Sequence, residues 1–333
     1  MIRALRFHNY RVLRDAELPL QPFTLLIGPN GSGKSTVLHA LSTIRDLALD
    51  SRSPTADLRR FFSVDSDEQK ISAEVIWAES FPGIVSRVAW PSYPHLPLRH
   101  LPGDPPAELG RFLQRLRVYQ LSEKAIINPV SLAPGMELRE DGAYLAGVLD
   151  QMRDRSPEAF EALNAEFGTL LPEFDRILFE TPGPGQRAFM LRTRRAQHAI
   201  PAVDLSQGTV LALAILTLAH LSDPPSMVCL EEPDRGIHPR LYREIQDALY
   251  RLAYPESFGL SRDPVQVLVT THSPYLLDLH REHPEEVVIA QKNGTSATFQ
   301  KLTDREDIQE LLSEASLGEL WYSGVLGGVP VAP

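Results

Sequence analysis

The sequence predicts an α/β fold, a mixed sheet flanked by helices with an inserted lobe, on three observations. Runs such as FTLLI at 23–27 and VQVLVTT at 265–271 carry no charge over their whole length. Such strands fit a sheet covered on both faces rather than one with a wet side. Between them the apolar residues change period: Val37, Leu38, Leu41, Ile44, Leu47 and Ala48 recur at helical spacing over 34–49. A Gly-rich turn joins the 23–27 strand directly to that helix.

The remaining elements follow in order. Residues 2–7 (IRALRF) alternate as a half-buried strand. Residues 71–78 and 84–90 read as an antiparallel pair joined by FPG. The six prolines between Pro91 and Pro106 predict a loop or extended connector, and order resumes over 111–121. Helices are expected at 143–153 and 157–169, the second opened by Ser156 as N-cap and Pro157 at the first helical position. Strands at 174–180 and 188–194 flank a Pro/Gly turn. An apolar helix over 206–221, a strand at 226–231, a helix over 239–253 and the 265–271 strand complete the pattern. The expected division is a split core, 1–50 with 200–302, an inserted lobe over 51–199 and a helical tail over 303–333.

Composition bounds the function. The chain has 333 residues with 43% hydrophobic and 23% charged content, as in an ordinary globular protein. No apolar run approaches the roughly 20 residues a bilayer span needs, and the charged, alternating N-terminus does not read as a signal peptide. The single cysteine, Cys229, excludes an internal disulfide and fits a reducing cytoplasm, the expected location. A net charge of −10 means that any nucleic-acid contact must use a local patch.

The strongest motif is GPNGSGKST, that is Gly28, Pro29, Asn30, Gly31, Ser32, Gly33, Lys34, Ser35 and Thr36. It matches G-x-x-x-x-G-K-[ST] between an apolar strand and a helix, where backbone amides and the helix N-terminus can surround phosphates. Lys34 would neutralise the β- and γ-phosphates of ATP, and Ser35 would give its hydroxyl to Mg2+. Downstream, MVCLEE at 227–232 drives four apolar residues into two carboxylates, and an unpaired buried carboxylate costs several kcal/mol. A metal and a reacting water would account for the pair, with Glu231 facing Mg2+ and Glu232 polarising the attacking water. In DLSQGT, Ser206 heads an apolar helix; a simple N-cap explains it, and so does a phosphate-binding turn with Gly208. His272 follows the last apolar strand in TTHSP, at the ligand edge of such a sheet, where it can sense the γ-phosphate or serve only packing.

Taken in order, these segments resemble the P-loop, signature, Walker B, D-loop and switch histidine of ABC-type ATPases, a P-loop NTPase fold. LRFHNYRVLRDAELPLQPFTLLIGPNGSGKST looks like the RecF, OLD and SMC branch, and EEPDRGIHP with TTHSP is similar to its stand-alone AAA-family members. EDGAYLAGVLDQM and SLGELWYSGVLGG extend the resemblance over most of the chain. It implies an ATP-dependent head-to-tail homodimer, with Ser206 and Gly208 capping the ATP of the other subunit and Asp234 near the interface. It also implies a nucleotide-facing arginine, matched by Arg11 although Tyr10 and Val12 depart from the usual flanking residues. A Q-loop glutamine beside the metal is placed at Gln120, after the strand-like LRVY.

Three functions compete at this stage: a RecF/OLD-like ATPase in DNA repair or anti-phage defence, the nucleotide-binding subunit of an ABC transporter, and a kinase or GTPase. PDRGIHP and the absence of a basic run after the signature weigh against the transporter; the signature and His272 weigh against the kinase. Long coiled-coil arms are not expected, since the residues between Lys34 and Ser206 show no heptads. Only 61 residues follow His272, without an acidic metal cluster, so DNA cutting is expected to belong to a separately encoded nuclease or toxin effector. A DNA-binding edge is expected at RTRRAQH, through Arg192, Arg194 and Arg195; a solvated basic strand explains these residues equally well.

Overall fold

The computed structural model describes residues 1–49, 61–63, 70–78, 80–90, 98–101 and 106–327. The N-terminal alternation becomes β1 (Ile2–Tyr10), paired antiparallel with β2 (Leu13–Pro19) through a turn at Arg11 and Val12. Leu13, Ala16 and Leu18 are buried, in a strand the sequence reading passed over. Then come β3 (Phe23–Ile27), buried at every residue, and α1 (Lys34–Leu49). The expected antiparallel pair is β4 (Ile71–Trp77) and β5 (Val85–Trp90). A further strand, β6 (Leu98–Leu101), lies in the proline-rich stretch; residues 91–97 and 102–105 of that connector are outside the described residues. The order expected over 111–121 resolves into α2 (Ala107–Gln114) and β7 (Leu116–Tyr119).

The middle of the chain holds α3 (Glu123–Ile126), β8 (Val130–Ser131), α4 (Leu145–Arg155), α5 (Pro157–Leu170), β9 (Phe174–Glu180), β10 (Gln186–Thr193), β11 (Ala199–Pro201) and α6 (Gln207–His220). Ser156 stands at the N-cap of α5, but it makes no side-chain cap and its hydroxyl instead accepts from Ser222, 2.7 Å away. After β12 (Met227–Glu231) come α7 (Tyr242–Ala253), β13 (Gln266–Thr271), α8 (Pro274–Asp278), the antiparallel β14 (Val287–Asn293) and β15 (Ser296–Lys301), α9 (Ile308–Glu314) and α10 (Leu317–Tyr322).

These elements build three sheets. An antiparallel sheet runs β2-β1-β4-β5-β6; a mixed sheet runs β15-β14-β3-β13-β12-β7; a small antiparallel sheet groups β11, β10, β8 and β9. In the mixed sheet β12, β13, β3 and β14 are parallel, with Glu231 opposite Thr270 and Thr271 opposite Ile27. Cys229 is buried within β12, and burial pushes its thiol well above the ordinary range. It is a small core residue rather than a reactive one.

Two compact units divide the chain at other points than the sequence suggests. Unit 1 comprises Met1–Val118, Pro225–Glu231 and Pro264–Pro333; unit 2 comprises Tyr119–Pro224 and Glu232–Asp263. The expected lobe therefore splits. Strand β4 continues the sheet begun by β1, and Gln114 on α2 donates to the Ala48 carbonyl of α1 at 2.8 Å, which ties residues 70–118 to the N-terminal core. Within unit 1 the Gln266 side chain, 1% exposed, acts as a strand surrogate. It accepts from the Ile2 amide at 2.8 Å and donates to the Ile2 and Gln21 carbonyls at 2.7 and 3.0 Å.

In unit 2 one carboxylate joins three helices. Glu166 on α5 accepts from His220 at the end of α6 at 2.7 Å and from Arg251 on α7 at 2.5 and 2.6 Å. Burial alone would raise its pKa, but the His220 and Arg251 bonds outweigh burial and hold it below the usual carboxylate range. A depressed folded-state pKa gives stability that is present above the unfolded carboxylate pKa and is lost as pH falls through the folded value. Replacing Glu166 with Gln should cost about 1–3 kcal/mol at pH 7, the usual worth of charged hydrogen bonds. That deficit should shrink as pH is lowered through the carboxylate range. Urea unfolding of both proteins from pH 7 to pH 3 measures it, and a pH-independent deficit would contradict the ionic assignment.

Candidate functional site

The Gly-rich turn between β3 and α1 is shaped by its surroundings. Gly33 adopts φ +101°, a left-handed conformation open to glycine, and a Cβ there would lie 3.0 Å from Ala297 Cβ and 3.2 Å from Val12 Cγ2. Gly28 packs so closely on the Ala290 backbone of β14 that any side chain would strike its carbonyl. The Ala297 amide in turn donates to the Val12 carbonyl at 2.7 Å. The β14–β15 hairpin and the β1–β2 turn thus brace the loop from behind.

Inside this loop Lys34, 5% exposed, places its ammonium 2.6 Å from the Gly28 carbonyl and 3.1 Å from that of Pro29. The Ser32 hydroxyl is buried with no hydrogen-bond partner. A native protein rarely leaves such a group unpaired, and a bound phosphate is one partner that would satisfy it. Ser35, at the exposed start of α1, donates its hydroxyl to the Glu231 carboxylate at the end of β12. One carboxylate and one hydroxyl form the sparse oxygen set that Mg2+ uses when phosphates and water complete its shell. A curled loop, an unpaired hydroxyl, a lysine ammonium and two oxygen donors fit a nucleotide phosphate with Mg2+.

The parallel register brings further predicted residues to the same edge of unit 1. His272 follows Thr271, which pairs with Ile27, the residue before Gly28. It is half-buried and immediately precedes α8, whose N-cap Ser273 accepts from the Leu276 amide at 3.3 Å. Arg11 also lies in unit 1, at φ +52°, with its guanidinium 5.1 Å from the centre of the Phe61 ring. Tyr10 stacks on the same ring, 5.9 Å from Phe61, and its hydroxyl meets His39 Nδ1 at 2.7 Å. Burial and then the nearby Arg11 charge push His39 below its ordinary pKa. Sequence reasoning did not find His39 or Phe61; the helical spacing that puts His39 one turn after Ser35 was the available signal for the first.

The other predicted residues belong to unit 2. Glu232 follows Glu231 directly and carries φ +44°, a conformation unfavourable for a side-chain-bearing residue, ahead of Pro233. Ser206 is the N-cap of α6: its hydroxyl accepts from the Thr209 amide at 3.2 Å and lies 2.8 Å from the Thr209 hydroxyl. Gly208 meets the D-loop. A Cβ on it would sit 2.7 Å from the Gly236 carbonyl oxygen, and one on Gly236 would sit 2.7 Å from the Gln207 side chain. Asp234 is half-buried two residues earlier, its carbonyl accepting from the Tyr242 hydroxyl at 3.3 Å. Gln120 is exposed just after β7, its amide donating to the Glu140 carbonyl at 2.8 Å.

The expected basic edge is largely engaged within the fold. Arg192 forms a two-pronged pair with Asp175 at 2.8 and 3.1 Å. Arg194 donates to the carbonyls of Pro172, Gly168 and Phe174 at 2.9, 3.0 and 3.2 Å, closing the end of α5. Arg194 and Arg195 are both exposed residues, and Arg194 nonetheless directs its guanidinium to these carbonyls. A guanidinium with five donors suits carbonyl capping as well as phosphate, and spacing alone does not separate the two uses.

The Gly208–Gly236 approach makes a stability prediction. Alanine is the better helix former, yet Gly208→Ala should destabilise by about 1–3 kcal/mol, because backbone must move to admit its methyl group. Urea unfolding checks this; a variant as stable as the parent would mean that the two turns do not touch in solution.

Comparison with known proteins places this geometry. Residues 99–278 match the family model described as "AAA domain, putative AbiEii toxin, Type IV TA system", and residues 1–76 match that described as "AAA ATPase domain". The OLD nuclease of Thermus scotoductus is 23% identical over 340 residues, covering 84% of this chain and 60% of the relative, so the chain spans less than two thirds of that protein. Among solved structures, an Smc head bound to the C-winged helix domain of ScpA superposes with a TM-score of 0.61 at 15% identity, covering 90% of this chain and 96% of that one. An Smc head with an extended coiled coil, bound to the C-terminal domain of ScpA derived from Pyrococcus furiosus, gives 0.59 at 13% identity, covering 94% and 99%. The SMC head domain from Thermotoga maritima gives 0.50 at 14%, covering 90% and 98%. These structures show the P-loop NTPase fold. Among the described residues no helix is long and apolar enough to cross a membrane. With more than half of its length inside the first of the two matched families, the chain belongs to the AAA ATPase domains, on the branch that resembles OLD proteins and SMC heads.

Proposed function

We propose that this AAA-type ATPase binds ATP in the β3–α1 loop and hydrolyses it with the residues gathered at the sheet edge. The observation that carries the reading is the loop itself: Lys34 at 2.6 Å from the Gly28 carbonyl, the unpaired Ser32 hydroxyl, and Ser35 on Glu231. Lys34 would leave the loop carbonyls for the β- and γ-phosphates, while the amides from Gly28 to Thr36 surround them. Ser35 and Glu231 would hold Mg2+, with Gln120 as a further candidate ligand; the bound ion neutralises phosphate charge. Glu232 would orient the attacking water and take its proton. His272 would sense the γ-phosphate, and Arg11 would approach the nucleotide from the β1–β2 turn.

In the same reading Ser206 and Gly208 cap the ATP of a second subunit, with Asp234 near that interface, giving an ATP-dependent head-to-tail homodimer. The family description of a toxin system and the name of the OLD relative support a role in anti-phage defence or DNA repair in the cytoplasm, with a separately encoded nuclease or toxin effector. With Arg192 and Arg194 engaged internally, the RTRRAQH segment gives little support to DNA binding.

Glu232→Gln should retain ATP binding and slow hydrolysis by roughly 10²–10⁴-fold, the usual contribution of a general base. It should accumulate an ATP-bound dimer, read by light scattering; a variant that hydrolyses at the parent rate would remove Glu232 from the chemistry. Lys34→Ala should abolish nucleotide binding in equilibrium titration. Retention of the parent affinity would place the phosphate site elsewhere.

A further inference from the structure

The C-terminal part of unit 1 concentrates charge and exposed aromatic surface in one place. From Leu302 to Gly327 there are six acidic side chains, Asp304, Glu306, Asp307, Glu310, Glu314 and Glu319, against Arg305 alone. Six negative charges and one positive leave −5, half of the net −10 of the whole chain. Arg305 is itself held by Asp307 at 2.8 Å and by the Val325 carbonyl at 2.9 Å, so it offers little to neutralise the rest. Glu306, Glu310, Glu314 and Glu319 are exposed.

Beside these acids stand large apolar groups. Tyr322 is 82% exposed, Tyr275 64% and Val325 42%, three of the nine exposed large hydrophobics among the described residues. Helices α8 and α10 pack on one another, and each carries one of the two tyrosines. The Gly318 amide donates to the Asp278 carboxylate at 2.6 Å, and Gly318 lies so close to Pro274 that a Cβ would sit 2.8 Å from its carbonyl oxygen. Tyr275 is the next residue after Pro274, and Tyr322 is one helical turn beyond Gly318, about 6 Å along α10. Tyrosines are enriched among the residues that anchor interfaces.

We propose that the face formed by α8 and α10 is a docking site for a basic, amphipathic segment of a separate protein, with Tyr275 and Tyr322 as anchors and the acidic tail as rim. Charge complementarity selects the occupant. Nucleic acid and anionic membrane are repelled by the −5 tail, and a second copy docking through the same face would bring two −5 tails together. A cationic segment with apolar residues on one face gains from both parts. Tyr275 is three residues from His272, so docking would bear on the segment that follows the sheet edge. The proposal rests on the reading that a separate effector works with this ATPase; the binding assay below needs neither nucleotide nor hydrolysis, so the two can fail independently.

The full chain is titrated, without nucleotide, into a fluorescent 18-residue peptide carrying Lys and Arg on one helical face and Leu on the other. A second peptide has the same Leu positions with Glu in place of every Lys and Arg. The basic peptide should bind at least tenfold more tightly than the acidic one. Tyr275→Ser with Tyr322→Ser should weaken it about tenfold or more. Glu310→Lys with Glu314→Lys should weaken it and flatten its salt dependence. Tyr322→Ser alone, with an unchanged thermal midpoint, should show a partial loss and guards against misfolding of the double variant. Equal binding of both peptides, or full binding by the tyrosine variants, overturns the proposal as diffuse charge attraction. Loss of nucleotide-free self-association in the tyrosine variants, by light scattering, overturns it in favour of a second copy.

Discussion

The parallel register of β12, β13 and β3 is the constraint from which the site in unit 1 follows. With Glu231 opposite Thr270 and Thr271 opposite Ile27, three strands end together, and the residues after them have nowhere to go but one edge. Gly28, Glu231 and His272 are far apart in the chain, and only this pairing makes them neighbours. Parallel strands need covered faces, which explains why β3 and β13 are buried at every residue and carry no charge. The same demand for burial makes Glu231 costly unless it has a partner, and the Ser35 hydroxyl is one such partner.

Within each unit, shape is set by what side chains are left out. Gly28 and Gly33 admit the β14–β15 hairpin and the β1–β2 turn against the phosphate loop, and Gly208 admits Gly236 against the head of α6. Close backbone contacts of this kind transmit displacement without slack, because packed atoms have no free volume to absorb it. Unit 2 shows the complementary device at the other end of α6, where Glu166 binds His220 and Arg251. A helix held at both ends presents its first turn in one orientation.

The fold class was legible because charge-free strands and a helical period are local properties. GPNGSGKST was legible because its chemistry is compressed into nine residues between a strand and a helix. What the residues did not reveal was partnership at long range. The β14–β15 hairpin escaped notice although it forms the wall behind Gly28, since nothing in KNGTSATFQ announces which loop it will meet. The compact units cut across the expected inserted lobe because β4 pairs with β1, a choice made by register rather than by composition. Arg194 looked available because an arginine that caps carbonyls and one that awaits phosphate are spelled the same way.

The bonds from Gln266 to Ile2 have a consequence for how the protein is made. They join residues 264 positions apart, so β1 stays without this anchor until the residues between the two have been synthesised. Strand β3 is in the same position, since both of its sheet neighbours, β13 and β14, are made long after it. Throughout that interval the chain carries FTLLI as an apolar strand with two open edges, the kind of segment that recruits wrong partners. The arrangement that gathers the phosphate loop, Glu231 and His272 at one edge thus makes their assembly a late event. It leaves the nascent chain dependent on whatever shields its N-terminal strands in the interval.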